Sequence, residues 1–269
     1  MNNIIRADIY RIIRGKGLYI TLAVFLAVII LQVVGNANMG DGIQRGEFVV
    51  IEKSAINTAE APNRPYGAEA PYLVMSFTSG FLFILLPLLV FISSTEFTSG
   101  AVKNILTRNV SRNEFYISKL ILSCITCILL FLVYVLLSSF IATILTGFGS
   151  SFTVEYILRV IKVFSIQLWL CLAMTCIGHF FIFSIRSKAA ITAYIAFLLT
   201  PSIIINLISP DNRLSEVFLK YDFALMLNNT VYANTMSATD IAIIIFIGGI
   251  YIVFASVVGC ILFRSAEIK

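Results

Sequence analysis

Long apolar stretches that contain no Asp, Glu, Lys or Arg alternate with charged segments along the chain. An α-helix rises 1.5 Å per residue, so about 20 residues cross the roughly 30 Å hydrocarbon core of a bilayer. All 33 charged residues lie outside six such stretches, which we number as spans one to six. The spans cover residues 18–34, 72–95, 120–147, 163–185, 189–209 and 241–263. The pattern predicts an all-α integral membrane protein with six transmembrane helices in a single domain, residues 1–269.

The composition agrees with a membrane protein and changes how the charge is interpreted. Apolar residues make up 59% of the chain and charged residues 12%, about half the ~25% that soluble domains carry. In a chain with so few charged residues, the net charge of +5 does not indicate a nucleic-acid partner, and we expect none. Twelve of the 19 Lys and Arg residues lie in the N-terminal segment, the second and fourth loops and the C-terminal segment. By the positive-inside rule, this asymmetry predicts a multi-pass protein of the cell membrane with both termini in the cytoplasm.

The segment before span one has the periodicity of an amphipathic helix. Its apolar positions fall on one helical face and its basic positions elsewhere, with Ile5, Ile9, Ile12 and Ile13 set against Arg6, Arg14 and Lys16. Such a helix lies in the headgroup plane with its apolar face toward the acyl chains. Gly15 and Gly17 then allow the chain to turn into the membrane. A plain basic flank that only sets the topology is the alternative.

The loop between spans two and three, residues 96–119, contains a second short amphipathic segment. Its apolar positions are Ala101, Val102, Ile105 and Leu106, and its basic positions include Lys103 and Arg108. Ser111 and Glu114 have the spacing of a capping box, which predicts that the next helix begins at this point. An apolar face exposed in the cytoplasm requires a partner. We therefore expect a short helix across the membrane surface that another protein covers.

The order of these elements resembles the permease subunit of type-2 ATP-binding-cassette (ABC) exporters. That family has six spans, an interfacial elbow helix at the N-terminus and a coupling helix between spans two and three. Its usual motif places a Glu at the end of span two, then a Gly, a Ser-Arg step and a Lys in span three. The corresponding residues here are Glu96, Gly100, Ser111-Arg112 and Lys119. In size and style the chain is similar to small bacterial permeases of peptide-antibiotic immunity or amphipathic-peptide export.

The resemblance implies partners and contact residues. Two ATPase subunits and a second permease chain, identical or related, would complete the transporter. The ATPase would contact the coupling helix at Gly100, Ala101, Val102, Ile105, Leu106 and Arg108. Glu96 would pair with Arg11 or Arg14 of the elbow helix; a solvated carboxylate at the helix end is the alternative. The cargo would be an amphipathic peptide, an antibiotic or a lipid-like molecule that leaves the cytoplasm or the membrane.

Nucleotide chemistry is expected to belong to the partner and not to this chain. The sequence has no G-x-x-x-x-G-K-[ST] phosphate loop, so ATP and Mg²⁺ would bind to the ATPase subunit. We expect no catalytic residue, cofactor or metal site here, and hence a transport subunit without enzyme activity. Pro87 and Pro201 predict kinks in spans two and five, which makes these spans candidates for the pathway lining.

Two sets of side chains inside the spans have more than one interpretation. The five cysteines all lie within spans and are expected to be packing residues, although Cys124 and Cys127 have a spacing seen in zinc sites. His179, the single histidine, is expected to be a hydrogen-bonded packing residue; a proton or ligand site is the alternative. For the whole chain, the alternatives to an exporter are an ATP-independent transporter and a structural or sensor subunit.

Two of the predicted external loops, residues 35–71 and 210–240, are long. The first is either a partly ordered lid or a solvated linker. The second carries apolar residues in a run too short to cross the bilayer and too apolar for free solution. It predicts short helices that lie in the interface or against the mouth of the bundle.

Overall fold

The computed structural model describes residues 2–38, 67–98, 111–149, 153–187, 189–207 and 222–265. Within these ranges the chain forms α-helices, one short 3₁₀-helix and turns, and no β-strand. The α-helices are α1 Asn2–Arg14, α2 Lys16–Asn38, α3 Ala70–Met75, α4 Thr78–Thr98, α5 Arg112–Thr146, α6 Val154–Ile185, α7 Ala189–Leu207, α8 Phe223–Asn229 and α9 Ala238–Ser265. The 3₁₀-helix Thr230–Tyr232 follows α8 directly. The all-α prediction is confirmed for these residues.

Four of the described helices are long and apolar enough to cross a bilayer, with apolar segments Lys16–Val33, Arg112–Leu145, Val154–Ile185 and Ala238–Ser265. They belong to α2, α5, α6 and α9 and coincide with predicted spans one, three, four and six. Helices α4 and α7 lie where spans two and five are predicted, and α7 contains a shorter apolar helix, Ala189–Thr200. The protein is therefore helical and membrane-embedded, while the total of six crossings stays a prediction.

The apolar stretch predicted as span two, residues 72–95, is not one continuous helix. Helix α3 ends at Met75 and α4 begins at Thr78, so the helix is broken between them. The Ser76 hydroxyl donates to the Leu73 carbonyl at 2.6 Å, and the Thr78 hydroxyl donates to the Met75 carbonyl at 2.7 Å. These side chains satisfy carbonyls that the break removes from the helical ladder. A hydropathy pattern does not show the break, because none of these residues is charged.

Helix α6 lies at the centre of the bundle and contacts α4, α5, α7 and α9. Its contact with α9 is the most extensive between two helices in the described part of the chain. Buried small residues on α9, namely Gly248, Ala255 and Gly259, make close approach possible. The Trp169 indole N–H of α6 donates to the Ile245 carbonyl of α9 at 3.0 Å. Small residues serve this purpose in membranes because lipid gives helices no hydrophobic drive to associate.

Gly248→Ala should destabilise the bundle, whereas Gly249→Ala should not. A Cβ atom on Gly248 would lie 2.7 Å from Trp169 Nε1, while a Cβ on Gly249 would meet Trp169 Cζ2 at 3.8 Å. We expect Gly248→Ala to lower the free energy of unfolding by about 1–3 kcal/mol, the usual cost of overpacking. Gly249→Ala should be neutral or stabilising by up to about 1 kcal/mol, since alanine favours a helix. Thermal unfolding in detergent compares the two variants, and equal melting temperatures would contradict the packing argument.

The end of the bundle away from α1 carries several short elements. The Gly67 N–H donates to the Gly147 carbonyl and the Ala68 N–H to the Phe148 carbonyl, both at 3.0 Å. These bonds hold the chain before α3 against the turn after α5. A Cβ on Gly67 would collide with the Thr143 side chain, so only glycine permits this approach.

Helix α8 packs against this same end of the bundle. Phe223, Met226 and Leu227 are buried, and α8 contacts α4. The predicted short apolar helix at the bundle mouth is therefore confirmed for Phe223–Asn229. The earlier part of that loop, residues 208–221, lies outside the described residues.

Candidate coupling site between α1 and the start of α5

Helix α1 turns one face toward the bundle and the other away from it. Asp8 and Ile12, one helical turn apart, are 3% and 7% exposed, whereas Ile9 and Ile13 are 41% and 53% exposed. The predicted isoleucine face is therefore divided, because the helix buries Asp8 together with Ile12 against α5. The predicted turn between α1 and α2 is confirmed at Gly15.

Asp8 forms a buried ion pair with Lys119 of α5. The Lys119 ammonium donates to both carboxylate oxygens of Asp8, at 2.8 and 2.7 Å, and Lys119 is fully buried. The Arg11 guanidinium, one turn after Asp8, donates to Asp8 Oδ1 at 2.9 Å. One carboxylate thus serves two cations. Moving ions out of water costs several kcal/mol each, and short charge-assisted hydrogen bonds offset this cost only while each charge keeps its partner.

Aromatic side chains from four helices lie beside the ion pair, and we call them the aromatic cluster. Its members are Phe97 of α4, Phe115 and Tyr116 of α5, His179 and Phe183 of α6, and Phe263 of α9. The Phe183 ring centroid lies 5.2 Å from that of Phe97 and 5.0 Å from that of Phe263. The Lys119 ammonium lies 5.4 Å from the Phe115 centroid. The cluster therefore connects the ion pair to the ends of α4, α6 and α9.

The start of α5 is fixed by its cap and by a contact with α9. The Ser111 side chain accepts from the Glu114 N–H at 3.1 Å, and the Glu114 carboxylate accepts from the Ser111 N–H at 3.2 Å. The predicted capping box is therefore confirmed. The Arg112 guanidinium donates to the Arg264 carbonyl at 2.8 Å, which ties this first turn to the end of α9.

The residues on either side of the predicted coupling helix contact the same two aromatic rings, those of Phe183 and Phe263. Phe97 lies at the end of α4 and Phe115 in the first turn of α5, so they flank the segment 99–110. Phe97 and Phe115 both lie within 6.1 Å of Phe183, centroid to centroid. They lie 6.1 and 5.9 Å from Phe263. A displacement of either flank would therefore reach α6 and α9 through direct ring contacts.

Several residues predicted from the sequence fall outside what the structure describes. The coupling residues Gly100, Ala101, Val102, Ile105, Leu106 and Arg108 lie in the segment 99–110, outside the described residues. Glu96, Pro87 and Pro201 lie on α4 and α7, but the placement of their side chains is not described, so the predicted kinks stay predictions. Arg11 bonds to Asp8, and the Arg14 guanidinium lies 4.8 Å from the Tyr10 ring centroid. The pairing of Glu96 with either arginine stays a prediction.

Asp8 is the central residue of the site that sequence reasoning missed. The sequence contained a signal for an inward-facing carboxylate at this position. Asp8 is the only acidic residue among the first 40 residues, and it lies one helical turn before Ile12. Lys119 is the last charged residue before the third apolar stretch. The sequence did not pair the two, because they are separated by 111 positions.

His179 and the cysteines pack inside the bundle. The His179 ring lies 4.9 Å from Tyr116 and 4.3 Å from Phe183, centroid to centroid, and is 1% exposed. Its packing role agrees with the sequence expectation, but neither ring nitrogen has a hydrogen-bond partner in the described part of the chain. The five cysteines are free thiols, and Cys127, Cys171 and Cys176 are buried. No group of three or more His, Cys, Asp or Glu side chains in the described residues is arranged to hold a metal ion.

A second polar node, which the sequence also did not indicate, lies in the N-terminal half of α6. Gln167 is fully buried, and its Nε2 donates to the Met75 carbonyl at 2.9 Å and to the Leu227 carbonyl at 3.2 Å. Its Oε1 lies 2.8 Å from the Thr78 hydroxyl, whose single proton is shared between this oxygen and the Met75 carbonyl. Gln167 thus joins the α3–α4 break, α6 and α8. A single uncharged amide within an apolar stretch gives too weak a sequence signal to identify this role.

One protein-family model matches the part of the chain that contains the Asp8–Lys119 ion pair. Residues 4–203, about three quarters of the chain, match the ABC-2 family transporter protein model. The chain belongs to the ABC-2 transporter family. No curated protein matches it at a significant level. As an ABC-2 permease, it is a membrane-embedded subunit of an ABC transporter and works with an ABC ATPase subunit. The match includes Asp8, Lys119 and the whole segment 99–110.

Proposed function

We propose that this ABC-2 permease is the transmembrane subunit of an ATP-driven exporter that moves an amphipathic peptide, antibiotic or lipid-like cargo. The observation that carries the proposal is the shared anchoring of Phe97 and Phe115. Phe97 and Phe115, which flank the segment 99–110, both contact Phe183 and Phe263. A movement of either flanking residue would therefore displace the helices that pack against these rings.

The ATPase subunit would bind the coupling helix in the segment 99–110. Its contact residues would be Gly100, Ala101, Val102, Ile105, Leu106 and Arg108. When the ATPase closes, the coupling helix would shift as a rigid body and move the adjoining ends of α4 and α5. The aromatic cluster would pass the movement to α6 and α9, and the Lys119–Asp8 pair would carry α1 with α5.

The proposed assembly has two ATPase subunits and two permease chains, the second identical or related. Six spans with both termini in the cytoplasm would place the coupling helix on the ATPase side of the membrane. ATP and Mg²⁺ would bind to the ATPase subunit. This chain would catalyse no reaction itself, and closure of the ATPase would change the shape of the cavity between its helices. Spans two and five, with Pro87 and Pro201, would line a pathway whose Phe, Leu, Ile, Ser and Thr side chains suit an amphipathic cargo.

Ile105→Asp/Leu106→Asp should abolish ATPase binding. Carboxylates placed in an apolar interface lose hydration without a counter-ion, so we expect at least a tenfold loss of affinity. Affinity purification of the tagged chain from membranes in mild detergent measures the recovered phosphate-loop ATPase. A matched control is Leu158→Asp/Ile161→Asp, because these residues are 61% and 52% exposed and precede span four.

The exporter proposal requires the wild type and the control to recover the ATPase and the coupling-helix variant to lose it. If no ATPase is recovered with the wild type, the coupling mechanism fails. Transport that continues after deletion of the ATPase would indicate an ATP-independent transporter instead.

A further inference from the structure

Helix α1 carries an outward stripe on the side away from Asp8. The stripe consists of Arg6, Ile9, Tyr10, Ile13 and Arg14, at positions i, i+3, i+4, i+7 and i+8 of one helical face. Ile9, Tyr10 and Ile13 are 41%, 59% and 53% exposed, and both arginines are exposed. Apolar side chains with a cation on either side are suited to a boundary between an apolar and a charged environment.

The outward stripe carries only positive charge. The one acidic residue of α1, Asp8, is buried on the opposite face, where it accepts from Lys119 and Arg11. No other carboxylate side chain occurs in α1 or α2. Because the acid is already bound inside the fold, it does not offset the charge of the stripe. An exposed surface of this kind attracts anions.

The position of the stripe indicates the surface of the bilayer. The Arg14 guanidinium lies 4.8 Å from the Tyr10 ring centroid, and tyrosine is enriched at the headgroup level. Helix α2, which begins at Lys16 directly after α1, is long and apolar enough to cross the membrane, and its Tyr19 and Ile20 are 60% and 63% exposed. The stripe therefore lies on the helix that leads directly into a membrane-crossing helix.

We propose that the outward stripe of α1 is a binding site for the headgroups of anionic phospholipids. Ile9, Tyr10 and Ile13 enter the upper acyl-chain region, and Arg6 and Arg14 bind phosphate and headgroup oxygens. The occupant is a membrane lipid and not a soluble anion, because the apolar centre of the stripe must be covered as well. The proposal does not rest on the exporter function.

Native mass spectrometry of the full chain in detergent micelles tests the proposal, with phosphatidylglycerol and phosphatidylcholine as probes. Each arginine near an anionic surface contributes about fivefold in affinity, so two predict a preference of about 25-fold for phosphatidylglycerol. Arg6→Gln/Arg14→Gln should reduce that preference to about twofold or less. The matched control is Arg159→Gln/Lys162→Gln, which removes two exposed charges near the start of α6 and should leave the preference unchanged.

Other outcomes would overturn the assignment. An undiminished preference in Arg6→Gln/Arg14→Gln would show that the stripe does not select the lipid. Competition by millimolar inorganic phosphate would identify a soluble-anion site. If Arg6→Gln/Arg14→Gln kept the lipid preference of the wild type but lost a co-purifying acidic protein, the stripe would be a protein-binding surface.

Discussion

Asp8→Leu should lower the free energy of unfolding by about 3–5 kcal/mol, the usual effect of removing one partner from a buried ion pair. Lys119 is fully buried, and its ammonium would lose both oxygens that it contacts at 2.7 and 2.8 Å. Arg11 cannot replace Asp8, because it carries the same charge as Lys119. Unfolding in detergent can be followed through the reaction of a thiol probe with the buried Cys127 and Cys171.

The double variant Asp8→Leu/Lys119→Met provides the control for the ion pair. Since it removes both buried charges, it should regain most of the stability that Asp8→Leu loses. Arg11 is 35% exposed at its side chain and can reach water when Asp8 is absent. If Asp8→Leu and the double variant were equally unstable, the cost would come from packing and not from charge.

The double variant also separates stability from coupling. If the pair carries α1 with α5 during transport, the folded double variant should bind the ATPase normally and transport less cargo per ATP hydrolysed. Reconstituted transporter reports both quantities. Unchanged coupling in a stable double variant would limit the pair to a structural role.

Gln167→Leu should lower the free energy of unfolding by about 1–2 kcal/mol, since two donated hydrogen bonds and one shared hydrogen bond disappear at an average of about 0.6 kcal/mol each in a membrane. The side chain is buried and links Met75, Thr78 and Leu227. The loss stays moderate because other hydroxyls still donate to two of the carbonyls, Thr78 to Met75 and Thr230 to Leu227. Thermal unfolding measures the effect, and faster labelling of a cysteine introduced at the buried Met226 would report local loosening of α8.

Gln32→Leu is the matched control for Gln167→Leu. Gln32 is partly buried and accepts from the Tyr134 hydroxyl at 2.8 Å. Its replacement removes the bond from Tyr134 and should cost less than Gln167→Leu, on the scale of about 0.6 kcal/mol for each hydrogen bond lost. Equal effects of the two substitutions would show that the polar node does not hold the α3–α4 break, α6 and α8 together.

Local sequence signals predicted the helices and some of their ends. The Ser111–Glu114 capping box lies within four residues, and the structure contains both of its hydrogen bonds. The turn at Gly15 and the packing of the cysteines inside the helices were predicted from equally local information. The break between Met75 and Thr78 was not, because uncharged residues and their side-chain hydrogen bonds leave hydropathy unchanged.

The candidate site was predicted only in part. The sequence predicted a basic helix at the N-terminus, which the structure contains, and a coupling helix between α4 and α5, which lies outside the described residues and stays a prediction. It assigned Ile9, Ile12 and Ile13 to one apolar face, whereas the fold buries Ile12 and exposes the other two. A helical face about 100° wide can be rotated without changing its periodicity, so only the contact of Asp8 with α5 fixes which side packs inward.

The sequence by itself determined that the chain enters a membrane and where its apolar helices lie. A charge at the centre of a bilayer costs about 2.5–3.5 kcal/mol regardless of the remaining fold, so the charge-free stretches are a local property of the chain. Only the tertiary structure decided which polar groups meet. Asp8 and Lys119 lie 111 positions apart in the sequence. Gln167 bonds to Leu227 and Met75, which lie 60 and 92 positions away from it. A buried charge or amide is stabilised only by a partner at hydrogen-bond distance, and helix packing alone brings such partners together.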